Sequence, residues 1–312
     1  MLDLPRIISA SLVLVVCAVF CSAQEHSVAL TFDDLPVAAT SDSSEARYVN
    51  NSILDALDRH HAPAIGFVIE SRVQQIGESQ GKGLLDQWAK RGYDLGNHSL
   101  SHADINNLTI EEIEHEIVAG EGAFVAALAG VGKAPRYFRF PQNHTGNTQE
   151  KHDVIATFLA QRGYTVAVCT IDNEDYVFDG IYLKMLKNKD EVSAARLRAD
   201  YLAYTSTEID YYTGLHKQIF GREIPHVMLL HANRLNADVI DNLLKLFEQK
   251  QYLFVTLGTA LTDPAYNTPD TYATKYGWMW GYRWAKELGV KVNGSLEMEP
   301  PPWILEYSKE QK

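Results

Sequence analysis

Val28-Ala29-Leu30-Thr31-Phe32-Asp33-Asp34-Leu35-Pro36 is a run of apolar and β-branched residues that ends in two carboxylates and a proline. Its first five residues have the composition of a strand. Pro36, with no backbone N–H, cannot continue a paired one. The stretch therefore reads as a strand that delivers two negative charges at its C-terminal end. Neighbouring side chains of an extended chain point in different directions, so Asp33 and Asp34 are expected to serve one site in two roles, one as metal ligand and one as base. An isolated Asp pair is more often a solvated turn; the rest of the chain decides between the two.

The same pattern recurs downstream. Short stretches at 64–69, 94–97, 137–140, 164–171, 227–230 and 252–255 read as strands. Helical spacing separates them at 43–61, 83–91, 148–162 and 237–249, and a capping-box pair, Thr109 with Glu112, opens a further helix to about residue 128. This alternation predicts an α/β fold, a parallel sheet or barrel with helices outside, which gathers its chemistry at the C-terminal ends of the strands. No linker or repeat divides residues 24–312, so one catalytic domain is expected. Residues 176–225 are too long for an ordinary connection. Their helical pattern predicts an insertion over about 178–221 that shapes the substrate groove. The extension over about 264–312 holds Trp278, Trp280, Trp284 and Trp303. These read as core filler in a helix packed on the body, the alternative being an aromatic platform for sugar rings.

Composition narrows the partners. The 312 residues are 46% hydrophobic and 22% charged, with a net charge of -12, which argues against nucleic acid as a ligand. Arg6, an apolar run over 7–20 and the small residues Ser22 and Ala23 read as a secretory leader over residues 1–23. The run is too short for a comfortable membrane span, so a periplasmic or secreted protein is expected, without a span once the leader is removed. Cys169 is then the lone remaining cysteine, and no internal disulfide forms.

Polar residues fall where the strands end: Asp33 and Asp34, His98, Arg139, Asp172 and Asp175, then His231. His98 and His102 are four apart and would share a face on a helical turn. With one Asp they make a three-ligand site with open positions, the form of a catalytic metal centre. Asn97, Asn107 and Asn143 each head a glycosylation sequon, and a glycan on the first or last would obstruct that site.

As a set, these segments resemble the polysaccharide deacetylases, the NodB-homology or carbohydrate esterase family 4 domain. The motifs stand as Thr31-Phe32-Asp33-Asp34, His98-Ser99-Leu100-Ser101-His102, Arg139-Phe140-Pro141-Gln142-Asn143, Asp172-Asn173-Glu174-Asp175-Tyr176 and Leu229-Leu230-His231. The resemblance implies a distorted (β/α) barrel of seven strands and hydrolytic N-deacetylation of an N-acetylated amino sugar in a glycan or oligosaccharide. It implies Asp33 as base, Asp34, His98 and His102 as ligands of a divalent metal, and His231 as acid. Arg139 would pair with Asp33, and Asp175 would orient Arg139 and tune His231. Pro141, Gln142, Tyr176 and Leu229 would line the substrate site, with the Gln142 N–H beside the developing oxyanion. Zn suits the donor set best, with Co, Ni or Fe as alternatives. Tyr176 replaces the family's usual Trp, and Gln142-Asn143 its commoner Tyr-Gly, so the acetyl pocket is expected to differ in shape. Hydrolysis of a small non-sugar amide, a non-haem Fe(II) oxygenase and a non-catalytic glycan-binding module stay open as rivals at this point.

Overall fold

The computed structural model describes residues 26–310; the leader read at 1–23 lies outside the described residues. β1 (Ser27–Leu35) is followed by α1 (Ser43–Arg59), β2 (Ala64–Val68), α2 (Glu70–Gln75), α3 (Glu78–Lys90) and β3 (Asp94–Asn97). Then come α4 (Ile110–Ala119), α5 (Gly122–Ala129), β4 (Tyr137–Phe138), α6 (Gln149–Gln161) and β5 (Thr165–Val166). The second half consists of α7 (Asp175–Lys187), α8 (Glu191–Phe220), β6 (His226–His231), α9 (Arg234–Gln249), β7 (Leu253–Phe254), α10 (Leu257–Ala260), α11 (Trp280–Glu287) and α12 (Pro302–Glu310).

All strand pairs are parallel, in the order β5-β4-β3-β2-β1-β6. A bridge between Ile171 and Met228 ties the open ends together, with the Leu229 N–H donating to the Ile171 carbonyl at 2.9 Å. β7 pairs with Ser27 and Val28 on the edge of β1 opposite β6, before β2 begins at Leu30. The result is the distorted seven-stranded (β/α) barrel expected from the sequence. β1, buried from Val28 onward, carries three partners, β2, β6 and β7.

Several elements are shorter than their sequence patterns suggest, β4 and β7 keeping two residues each of the four expected, and in two others the reason is visible. The strand expected over 164–171 shrinks to β5 because the chain changes partners: Ala167 N–H bonds Phe138 of β4, and Thr170 and Ile171 N–H bond Val227 of β6. The helix expected over 109–128 breaks into α4 and α5 at Gly120. A Cβ there would stand 2.7 Å from Asn97 Oδ1 and from the Ser99 carbonyl carbon, so the break lets the chain pass close to the His98 loop. The long insertion consists of two helices, with α7 beginning at Asp175, before the expected boundary at about 178.

Trp280 and Trp284 are buried, and the Trp284 ring meets His216 and Phe220 of α8 edge-on. That is the core role read for the tail. Trp303 is half-buried, donating to Asp200 at 2.9 Å, while Trp278 is partly exposed. Among the described residues, no helix is long and apolar enough to cross a membrane.

Candidate active site

The register of β1 shifts between Phe32 and Leu35, and Asp34 takes a left-handed φ of 68°. Such a bulge re-aims side chains. Strand alternation, expected to send the two carboxylates in different directions, is therefore replaced by convergence. Asp33 Oδ2 and Asp34 Oδ1 each lie 3.6 Å from His98 Nε2, and Asp34 Oδ1 lies 3.7 Å from His102 Nε2.

The His98–His102 segment is an irregular loop, not the helical turn its spacing suggested, with Ser99 and His102 both at positive φ. Local bonds hold it. His98 N–H continues the pairing to Val68 O at 2.9 Å. Asn97 Oδ1 accepts from Ser99 N–H at 2.8 Å, and Ser99 Oγ accepts from His102 N–H at 2.9 Å. Glu116 of α4 receives both the N–H and the hydroxyl of Ser101, each at 2.8 Å. Asn97 is wholly buried and its amide donates to Ile117 O, so this sequon offers nothing to a glycosyltransferase in the folded chain. The two imidazoles meet edge-on with centroids 4.9 Å apart. His98 Nδ1 lies 2.9 Å from Arg139 O. An Nδ1–H donated there leaves the Nε2 lone pair facing the carboxylates.

Asp34, His98 and His102 place ligand atoms within 4.8 Å of one another, and Asp34 Oδ1 is buried without a hydrogen-bond partner. A tetrahedral ion with ligands at about 2.0–2.1 Å sets its donors roughly 3.4 Å apart, close to the observed 3.6 and 3.7 Å. Burial, then His98, pushes the pKa of His102 down to about 4, so at neutral pH it is the uncharged, donor-ready form. The three residues fit a divalent cation. Arg72 donates to Asp34 Oδ2 at 3.5 Å and to Val37 O at 3.2 Å, which leaves Oδ1 as the free oxygen.

Behind Asp33 stands Arg139, wholly buried. Its Nη1 is 3.4 Å from Asp33 Oδ1, its Nε donates to Ala167 O at 2.5 Å and its Nη2 to Thr31 Oγ1 at 3.2 Å. The guanidinium also lies 4.7 Å over the Phe67 ring. These groups, and not Asp175 as expected, orient Arg139. The four hydrogen bonds that Asp175 accepts come from the far side: His231 Nδ1 at 2.6 Å, His231 N–H at 2.7 Å, and the amides of Asn233 and Asn236. Burial opposes a charge on His231, but Asp175, followed by Asp34 and Asp33, outweighs it and raises the pKa to about 10. The Tyr176 ring stands edge-on to His231 at 6.0 Å and is 57% exposed, on the open side of the acid.

Asp33, Asp34, His98, His102, Gln142, Tyr176, Leu229 and His231 share one cavity of about 480 Å³. Arg139, Pro141 and Asp175 are buried outside its lining. Pro141 opens a short 3-10 turn in which Gln142 and Asn143 both have positive φ. Asp172 also lines the cavity and accepts from Glu174 N–H at 2.9 Å, and burial lifts its pKa to about 6. His144 is paired to Asp104 at 2.7 Å.

Several walls were not read from the sequence. Asp179, Gly180 and Leu183 of α7 line the cavity, as do Ala38, Ala39, Asn233 and Gly277. Asp179 follows Asp175 by one helical turn, a spacing that could have disclosed it. Burial pushes the pKa of Asp179 up to about 7. Gly277 carries no such signal. It packs so tightly that a Cβ would lie 1.9 Å from the carbonyl oxygen of Gln142.

Residues 22–167 match the family model described as polysaccharide deacetylase. Over 156 residues the chain is 28% identical to a chitooligosaccharide deacetylase of Bradyrhizobium sp., covering 50% of this chain and 61% of that protein. Over 140 residues it is 32% identical to a peptidoglycan-N-acetylglucosamine deacetylase of Bacillus cereus, covering 45% and 54%. The chain thus spans between about half and three-fifths of the length of these curated relatives. Its fold matches that of the polysaccharide deacetylase Bc1974 from Bacillus cereus at a TM-score of 0.52, with 19% identity over 74% of this chain and 91% of that one.

Proposed function

We propose that this chain, which belongs to the polysaccharide deacetylase family, is a metal-dependent hydrolase that removes acetyl groups from N-acetylated amino sugars in a glycan or oligosaccharide. One observation carries the reading: a carboxylate held by a buried arginine, a cation-ready Asp-His-His triangle and a carboxylate-backed histidine all face one cavity. A divalent ion in the triangle would polarise the acetamide carbonyl and acidify a water. Asp33, fixed by Arg139, takes the proton of the attacking water. His231, protonated at neutral pH because of Asp175, gives a proton to the departing amine. Gln142 and Leu229 form the walls against which the acetyl group is oriented. Export through the leader at 1–23 brings the protein to the compartment of such glycans.

The test is acetate release from a panel of N-acetylated glycans and small amides by protein stripped with a chelator, then reloaded with Zn, Co, Ni or Fe. The expected result is glycan turnover that disappears on stripping and returns with metal. Turnover of small amides alone, or glycan turnover indifferent to chelation, would overturn the reading.

A further inference from the structure

Asp175 links His231 to the interior. Its Oδ1 faces His231 Nδ1, while Oδ2 accepts from the His231 N–H at 2.7 Å, the Asn233 amide at 3.2 Å and the Asn236 amide. One oxygen is thus filled by fixed donors and the other is left for the imidazole. Behind Asn236 stands α8. The Tyr201 hydroxyl donates to Asn236 Oδ1 at 2.8 Å and accepts from the Asn173 amide at 2.7 Å, whose nitrogen also donates to Thr205 Oγ1 at 3.0 Å. Asp175, Asn236, Tyr201, Asn173 and Thr205 are all wholly buried.

Chemistry fixes the direction of every proton in this chain. A carboxylate only accepts, so Asn236 turns its NH2 toward Asp175, and the same nitrogen donates to the His231 carbonyl at 2.9 Å. An amide oxygen only accepts, so the Tyr201 hydroxyl must donate to it. Burial, then Asp175, pushes the Tyr201 pKa well above its ordinary value, and the hydroxyl keeps its proton. A flipped Asn236 would set its carbonyl against the Asp175 carboxylate, two acceptors with no proton between them. Tyr201 therefore selects the orientation of Asn236 that serves Asp175. The Tyr201 ring packs beside Phe178 with centroids 5.2 Å apart, which fixes where the hydroxyl stands.

We propose that Tyr201 and Asn236 are positioning residues for His231: α8, absent from the cavity lining, reaches the reaction through Asn236 and Asp175 and holds the imidazole in line with the departing amine. The proposal rests on the deacetylase reading and adds two residues to it. The experiment is a double-mutant cycle of Tyr201→Phe and Asn236→Leu on Zn-loaded protein, with tetra-N-acetylchitotetraose as substrate. Tyr201→Phe should lower kcat about three- to tenfold, the worth of one hydrogen bond, and leave KM within about twofold and metal content at the parent level. Asn236→Leu should lower kcat by roughly tenfold or more. Because Tyr201 acts through Asn236, the double variant should be no slower than Asn236→Leu alone. Should Asn236→Leu fail to fold, Asn236→Ser takes its place in the cycle. A kcat equal to the parent's in Tyr201→Phe, a loss confined to KM, or costs that add in the double variant would overturn the proposal. A second measurement needs no turnover. The His231 Nδ1–H proton, identified by its absence from His231→Gln, should give a downfield resonance in the parent that moves upfield in Tyr201→Phe; an unmoved resonance overturns the proposal. If the parent releases no acetate from any saccharide, the deacetylase reading has failed, and this resonance alone judges whether Tyr201 positions His231.

Discussion

Asp33 and Asp34 are adjacent in sequence but stand in different company. Asp33 faces a buried guanidinium, while Asp34 presents a bare oxygen to two imidazoles. Asp34→Asn should therefore lose metal, and its activity should recover in part when metal is added in excess. Asp33→Asn should keep the metal and lose on the order of 10²- to 10⁴-fold in rate, with no rescue. Metal content measured beside kcat decides; the opposite pattern would reverse the assignment. His231 offers a second check. An acid must be protonated to act, so activity falls as pH rises through its pKa, which Asp175 holds up at about 10. Asp175→Asn removes the largest force opposing burial, and the basic limb of the kcat profile should move to lower pH. A limb that stays put would show that some other group limits the rate. The identity of these residues was legible because each ends a strand pattern. Their geometry was not: nothing in the letters of His98–His102 or Asp34 announces positive φ, and spacing rules written for regular helices and strands gave the wrong local picture at both places.

Strands and helices were easier to read where regular pairing or packing runs their whole length, as in β1, α1 and α9, than where the chain trades partners, as over 165–171. The insertion shows a related limit. Its length announced an extra structure, but only α7 reaches the cavity; of α8, no residue is in the lining. The segment around Gly277 contributes through its backbone, which composition cannot disclose. Gly277→Ala would push a methyl into the Gln142 carbonyl, so the Pro141–Asn143 turn or the tail must move. The expected outcome is at least a tenfold loss in kcat/KM on glycans with a stability loss of about 1–3 kcal/mol, the usual range for overpacking. Activity equal to the parent's in a chain of lowered Tm would show that the tail is structural at this point and not a wall of the site.

The barrel as a whole rests on a core that includes titratable rings. His216 of α8 and His226 of β6 are buried with centroids 5.2 Å apart. Neither nitrogen of His226 has a partner. Burial pushes His216 down to about 4 and holds His226 well below its ordinary value. An unfolded chain takes up these protons near pH 6.5, so between pH 6.5 and 4 it binds more protons than the folded one. Stability is therefore full above pH 6.5 and falls as the pH drops. The His216 contribution is on the order of 3 kcal/mol at one pKa unit per 1.36 kcal/mol. His216→Gln should flatten the dependence of the urea midpoint on pH across that window, and an unchanged slope would remove His216 from the account. The packing of Gly277 has a consequence in time. Ribosomes release a chain from its N-terminus, so every acid and imidazole of the reaction emerges dozens of residues before the segment that closes the wall beside them. The pocket is finished only when the segment around Gly277 has arrived. Until that segment has been made, the chain carries the polar groups of the cavity without its closing wall.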